Sequence, residues 1–190
     1  MKTHSAEETV TSYEDALFLL KEGNRRYLEG TLTTKDSYEI DREKLKQGQH
    51  PFAVILCCSD SRVAPEIFFD EKLGDIFVIR NAGNVVDDIV LGSIEYAVQH
   101  LNTPLIVVCG HSKCGAVTAA CEGGNLPAHI QAIADRMQSV ITRGRDLEHI
   151  IRANTEYVRN QIVNDDIIQE SGVRVVGAHY DICSGVVTWI

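Results

Sequence analysis

Phe52-Ala-Val-Ile-Leu-Cys57 is a run of six apolar residues that ends directly on the polar cluster Cys58-Ser-Asp60-Ser-Arg62. So short and continuous an apolar run predicts a strand buried on both faces of a sheet. Ile76-Phe-Val-Ile79 and Leu105-Ile-Val-Val-Cys109 repeat the pattern. Val173-Arg-Val-Val-Gly177 reads as a fourth strand, and residues 186–190 as a fifth, joined to it through a turn at Ser184-Gly185.

Segments of helical spacing lie around these runs. Residues 11–28 carry Tyr13, Ala16, Leu17, Leu20, Tyr27 and Leu28 along one face, with a capping-box pattern in Thr11 and Glu14 and a stop at Gly30. A more polar helix is expected over 37–47, and others over 88–101, after Cys114, over 128–142 and over 147–170. Apolar strands alternating with helices imply parallel pairing and right-handed crossovers. The expected fold is therefore α/β: a three-layer domain with a mainly parallel central sheet of four to five strands and an N-terminal helical arm. One domain is expected over 1–190, with the arm at 1–48 and the core at 49–190.

The bulk properties suit such a domain. The chain has 190 residues, 44% hydrophobic and 24% charged, which is ordinary for a globular protein. A net charge of −9 argues against a nucleic-acid backbone or an anionic membrane as partner. Residues 1–10 lack the basic start and apolar stretch of a secretory signal, and no apolar run approaches the ~20 residues of a membrane span. A cytoplasmic location is the resulting expectation.

Cysteines stand at 57, 58, 109, 114, 121 and 183. In a reducing compartment they are core residues, metal ligands or reactive thiols. Cys57 and Cys109 lie inside apolar runs and read as core, and strand alternation turns Cys57 away from Cys58. Cys121 and Cys183 read as packing or surface thiols. Cys58, His111 and Cys114 differ, because each stands in a polar cluster at the end of a predicted strand.

Sites in open α/β sheets form beyond the carboxyl ends of strands, in the crevice where the winding reverses. Clusters at Cys58-Ser-Asp60-Ser-Arg62 and His111-Ser-Lys-Cys114-Gly115 would converge there if their strands are neighbours. Two thiolates and one imidazole are a known zinc ligand set, and three protein ligands leave a position for water. Two thiolates also bring the metal's net charge near zero, so water on it is acidified less than beside three imidazoles. Asp60 would compensate by orienting the attacking oxygen, with Arg62 holding its carboxylate in a bidentate pair. Asp60 is also placed to bind the metal itself and close the site.

At these residues the chain resembles the β-class carbonic anhydrases, through Cys58-x-Asp60-x-Arg62-Val63, Arg80-Asn-Ala-Gly-Asn84 and His111-x-x-Cys114-Gly115. The resemblance runs from about Tyr13 to the C-terminus. It implies one zinc per subunit on Cys58, His111 and Cys114, Asp60 and Arg62 as the catalytic pair, and reversible hydration of carbon dioxide to bicarbonate. It further implies a substrate pocket of Gln49, Phe77, Ala82, Tyr96 and the Gly115 N–H, as in the plant-like subgroup. Ile55 stands where the bicarbonate-inhibited subgroup has tryptophan, which implies an open site. Assembly as a homodimer or homotetramer is implied too, with the arm packing on a neighbour and pocket walls shared.

Two other readings keep the same residues: a hydrolase of carbonyl sulfide or carbon disulfide, and a binding protein with structural zinc. No spacing marks His4, His50, His100, His129, His149 or His179 for a role.

Overall fold

Each of the five apolar runs forms a strand in the computed structural model, which describes residues 10–34, 42–43, 45–142 and 144–190. The strands are β1 (Ala53–Cys58), β2 (Ile76–Asn81), β3 (Leu105–His111), β4 (Arg174–Tyr180) and β5 (Val187–Trp189). The helices described over their full length are α1 (Tyr13–Glu29), α2 (Pro65–Phe68), α3 (Asp88–Leu101), α4 (Gly115–Glu122), α5 (Ala128–Met137), α6 (Leu147–Val163) and α7 (Asp166–Ser171). Of the polar helix expected over 37–47, residues 37–41 and 44 lie outside the described residues, as does His4.

The sheet order is β2-β1-β3-β4-β5. β1 pairs in parallel with β2 and β3, and β3 with β4, while β5 returns antiparallel to β4. That return is a tight turn in which Gly185, at φ 79°, donates its N–H to Asp181 O. Glycine suits this position because other side chains strain at positive φ.

Burial follows strand alternation. Ile55, Cys57, Val107 and Cys109 face α1 and α2, while Val54, Leu56, Ile106 and Val108 face α3, α6 and α7. β1 and β3 are buried along their whole length, as the apolar runs predict. β2 departs from that expectation: it is half-buried, because it is an edge strand of the sheet.

Three helix boundaries differ from the sequence reading. Ser12, not Thr11, caps α1 by accepting the Asp15 N–H at 3.1 Å. The helix expected over 128–142 stops at Met137. The helix expected over 147–170 breaks after Val163, because Asp165 accepts the Ile168 N–H and caps a new helix, α7.

The buried side of α1 is taken by its own chain. Ala16 and Leu20 enter the core, each burial contributing on the order of 1–3 kcal/mol. Asn24 donates to Phe68 O and Gly185 O and accepts the Val187 N–H, all within 3.0 Å. Tyr13 and Leu28, expected on that face, are exposed together with Phe18.

Candidate metal centre

β1 and β3 lie side by side, and the chain leaves them toward opposite edges, so the winding reverses between them. Cys58 is the last residue of β1 and His111 the last of β3. Lys113 then turns the chain at φ 56°, and Cys114 becomes the N-cap of α4. The ligand atoms of Cys58, His111 and Cys114 all lie within 4.8 Å of one another, the one such buried group among the described residues.

The donor set suits a metal. His111 Nδ1 is 2.9 Å from Ser112 O, a carbonyl that can only accept, so the proton sits on Nδ1. Nε2 therefore carries its lone pair inward, and it is buried with no hydrogen-bond partner. Cys114 donates to the Cys58 sulfur, and with the Gly83 N–H it lowers the Cys58 pKa against the effect of burial. Cys114, holding the shared proton, is pushed up. Two thiols, one of them eased toward ionisation, and a bare imidazole nitrogen fit a borderline-soft divalent ion such as zinc.

Asp60 sits just past β1. Its Oδ1 accepts the Arg62 backbone N–H and Nε–H, both at 2.9 Å, and Oδ2 accepts Nη2–H at 2.7 Å. These bonds hold its carboxyl far below the usual carboxylate range. Arg62 also reaches Lys113 O at 3.5 Å, linking the two ligand-bearing loops. Arg80, at the end of β2, donates Nε–H to Cys58 O at 3.2 Å and Nη2–H to Asp60 O at 2.8 Å. One guanidinium thus fixes the backbone on either side of Ser59.

The sequence model of a family described as carbonic anhydrase matches residues 53–187 of the chain. The chain belongs to the β-carbonic anhydrase family. It is 50% identical over 130 residues to carbonic anhydrase 2 of Mycobacterium tuberculosis, and 48% identical over 130 residues to the carbonic anhydrase of Mycolicibacterium smegmatis. Those alignments cover 66% of this chain and 63% of each relative, so the chain spans under two thirds of their length. Among solved structures, a tetrameric β-carbonic anhydrase of Sordaria macrospora superposes with a TM-score of 0.76 at 27% identity, covering 93% of this chain and 97% of that one. A Coccomyxa β-carbonic anhydrase in complex with acetazolamide gives 0.74 at 25% identity, covering 95% and 87%.

For a β-carbonic anhydrase, the placement of the expected pocket residues is informative. Ala82 opens the short 3-10 turn Ala82–Asn84, whose Gly83 touches Cys58, and Gly115 starts α4 beside Cys114. Phe77 does not join them. It pairs with Val54, four register steps from Cys58, or about 13 Å along the strand. Tyr96 on α3 stays with Phe77, ring centroids 6.4 Å apart, and is 47% exposed. Gln49 is exposed ahead of β1. The chain's own fold therefore brings Ala82 and Gly115 to the cluster and leaves the two aromatics elsewhere.

The other thiols take the places expected of them. Cys57 faces the opposite side of the sheet from Cys58, and burial pushes it up to about 12. Cys109 is fully buried and raised likewise, Cys121 is partly buried, and Cys183 is exposed with Lys113 Nζ 3.3 Å from its sulfur. Missed in the sequence was His179, which is buried with Nε2 3.3 Å from Glu148 Oε2, while Glu148 Oε1 accepts the Lys113 N–H. Burial pushes its pKa down. Asn154, on the buried stripe of α6, was missed as well, although an Asn between Ile151 and Val158 is a visible anomaly.

Proposed function

We propose that this chain hydrates carbon dioxide reversibly to bicarbonate and a proton, with zinc held by Cys58, His111 and Cys114. One observation carries the reading: an ionised Asp60, held through both oxygens by Arg62, stands beside a buried Cys-His-Cys cluster at the reversal point of the sheet. When bound, zinc supplies a Lewis acid that makes water nucleophilic near neutral pH. The chain's residues do the rest. Asp60, kept charged by Arg62, accepts a hydrogen bond from the attacking water and sets its orientation. The Gly115 N–H, at a helix N-terminus, receives charge developing on the product oxygens, and a Gln49 amide would join it from a second copy, since Gln49 lies beyond the far end of β1 from Cys58.

Both Asp60 oxygens are engaged by Arg62, which favours an open site in which the carboxylate does not occupy the metal. Phe77 and Tyr96 form the apolar wall of the pocket across an interface with a second copy, in a homodimer or homotetramer. The half-buried edge strand β2 and the exposed Tyr96 supply the surface for that contact. A reducing cytoplasm suits the six free cysteines. Among the described residues no helix is long and apolar enough to cross a membrane.

Stopped-flow carbon dioxide hydration, before and after chelation and again after zinc is returned, tests the reading. Activity should vanish and recover. Asp60→Asn should retain zinc and lose on the order of 10–100-fold in kcat/KM. Full activity in chelated, zinc-free protein would rule the assignment out.

A further inference from the structure

α6 brings two successive residues to the backbone that supports the metal ligands. Thr155 packs against Gly110, one residue before His111, so closely that a Cβ on Gly110 would overlap its Oγ1. Asn154, 1% exposed, donates Nδ2–H to Gly83 O at 3.0 Å. Gly83 in turn donates its own N–H to Cys58 Sγ at 3.3 Å.

The loop needs such a hold. Gly83 sits at φ 79° and Asn84 at φ 44°, two successive residues in the left-handed region. Asn81 closes the base of this loop by bonding both the N–H and the C=O of Val85, but neither of those bonds touches Gly83. Asn154 is an expensive residue for mere packing. It stands on a stripe with Ile150, Ile151 and Val158, and its Oδ1 is buried without a partner. Burying an unsatisfied amide oxygen is a cost that a leucine would avoid.

We propose that Asn154 is a positioning residue: it pins Gly83 so that the Gly83 N–H points at the Cys58 sulfur and draws charge from it. The inference rests on the metal reading above and deepens it. A thiolate that accepts an N–H bond donates less electron density to its metal, which stays more electrophilic. That is the help a two-thiolate site needs, and it comes from α6, more than forty residues beyond His111.

The test uses the full chain loaded with the spin-active cadmium isotope. In the wild-type protein the Gly83 amide proton should show scalar coupling to the metal through the N–H···S bond. Asn154→Leu, close in volume, should keep a folded amide spectrum and lose that coupling. Its cobalt-substituted form should show the sulfur-to-metal charge-transfer band moved to lower energy. A wild-type chain that takes up cadmium but shows no coupling at Gly83 overturns the inference and leaves the metal reading standing. One that takes up no cadmium overturns both. Undiminished coupling in Asn154→Leu removes Asn154 from the role, and if that variant does not fold, Asn154→Ser, smaller and too short to reach Gly83 O, decides in the same way: lost coupling supports the role and retained coupling overturns it.

Discussion

Replacing Gly83 with alanine tests the geometry on which the metal loop depends. Two costs follow from the structure. At φ 79° and ψ 13° a Cβ is strained by about 1–2 kcal/mol. That Cβ would also overlap Met137 Cε and come within 3.3 Å of Ala116 Cβ, in a cluster where Met137 is fully buried. Overpacking of this kind costs about 1–3 kcal/mol, toward the low end because a methionine terminus can swing. Gly83→Ala should therefore lose about 2–5 kcal/mol of stability in urea unfolding of the metal-free chain, read as a lower midpoint with an unchanged slope. Met137→Ala alone should lose about 2–5 kcal/mol through the cavity it leaves. In the double variant the new methyl occupies part of that cavity, so its loss should fall short of the sum by about 1–3 kcal/mol, with the backbone strain remaining. Additivity to within ~0.5 kcal/mol, or a Gly83→Ala loss under about 1 kcal/mol, would refute the packing around this loop.

Two further outcomes are expected elsewhere in the fold. Burial, with Asp75 adding to it, lifts Glu71 to about 9 from an unfolded value near 4.5, so the native state holds a proton that the unfolded chain has released between those values. Stability should then fall as pH rises across that window, by at most about 1.4 kcal/mol per pH unit from this group. Glu71→Gln should flatten that slope in denaturation series run from pH near 5 to pH near 9, and an unchanged slope would assign the dependence to other groups. Cys57→Ala should leave zinc stoichiometry at one per chain by metal analysis, whereas Cys58→Ala, one residue on, should abolish retention. Equal zinc in the two variants would contradict the facing of β1.

The sheet was legible because its strands are nearly pure apolar runs, and a strand buried on both faces has no other composition available to it. The helix ends were less so. Thr11 and Ser12 are both competent caps, and the folded chain uses the later one, whose hydroxyl accepts the Asp15 N–H. The break between α6 and α7 is a local capping event at Asp165 inside a pattern whose apolar period continues across it. β2 looked like a central strand because composition reports how apolar a run is, not how many neighbours it acquires.

At the site, sequence alone determined the cluster. Cys58, His111 and Cys114 carry chemistry in residue type, and their place at strand ends follows from the apolar runs before them. Asp60 and Arg62 follow because two residues cannot separate a carboxylate from its guanidinium by much. Tertiary structure alone decided what surrounds them. Arg80 on Cys58 and Asp60 carbonyls, Glu148 on Lys113, and Asn154 on Gly83 all join segments many residues apart through one or two bonds. The displacement of Phe77 and Tyr96 from the metal was likewise invisible, since it depends on strand register. The physical reason is the same in each case. Ligand identity is a property of a side chain, whereas the direction of a hydrogen bond, and the face on which a ring lands, are set only when strands and helices are packed together.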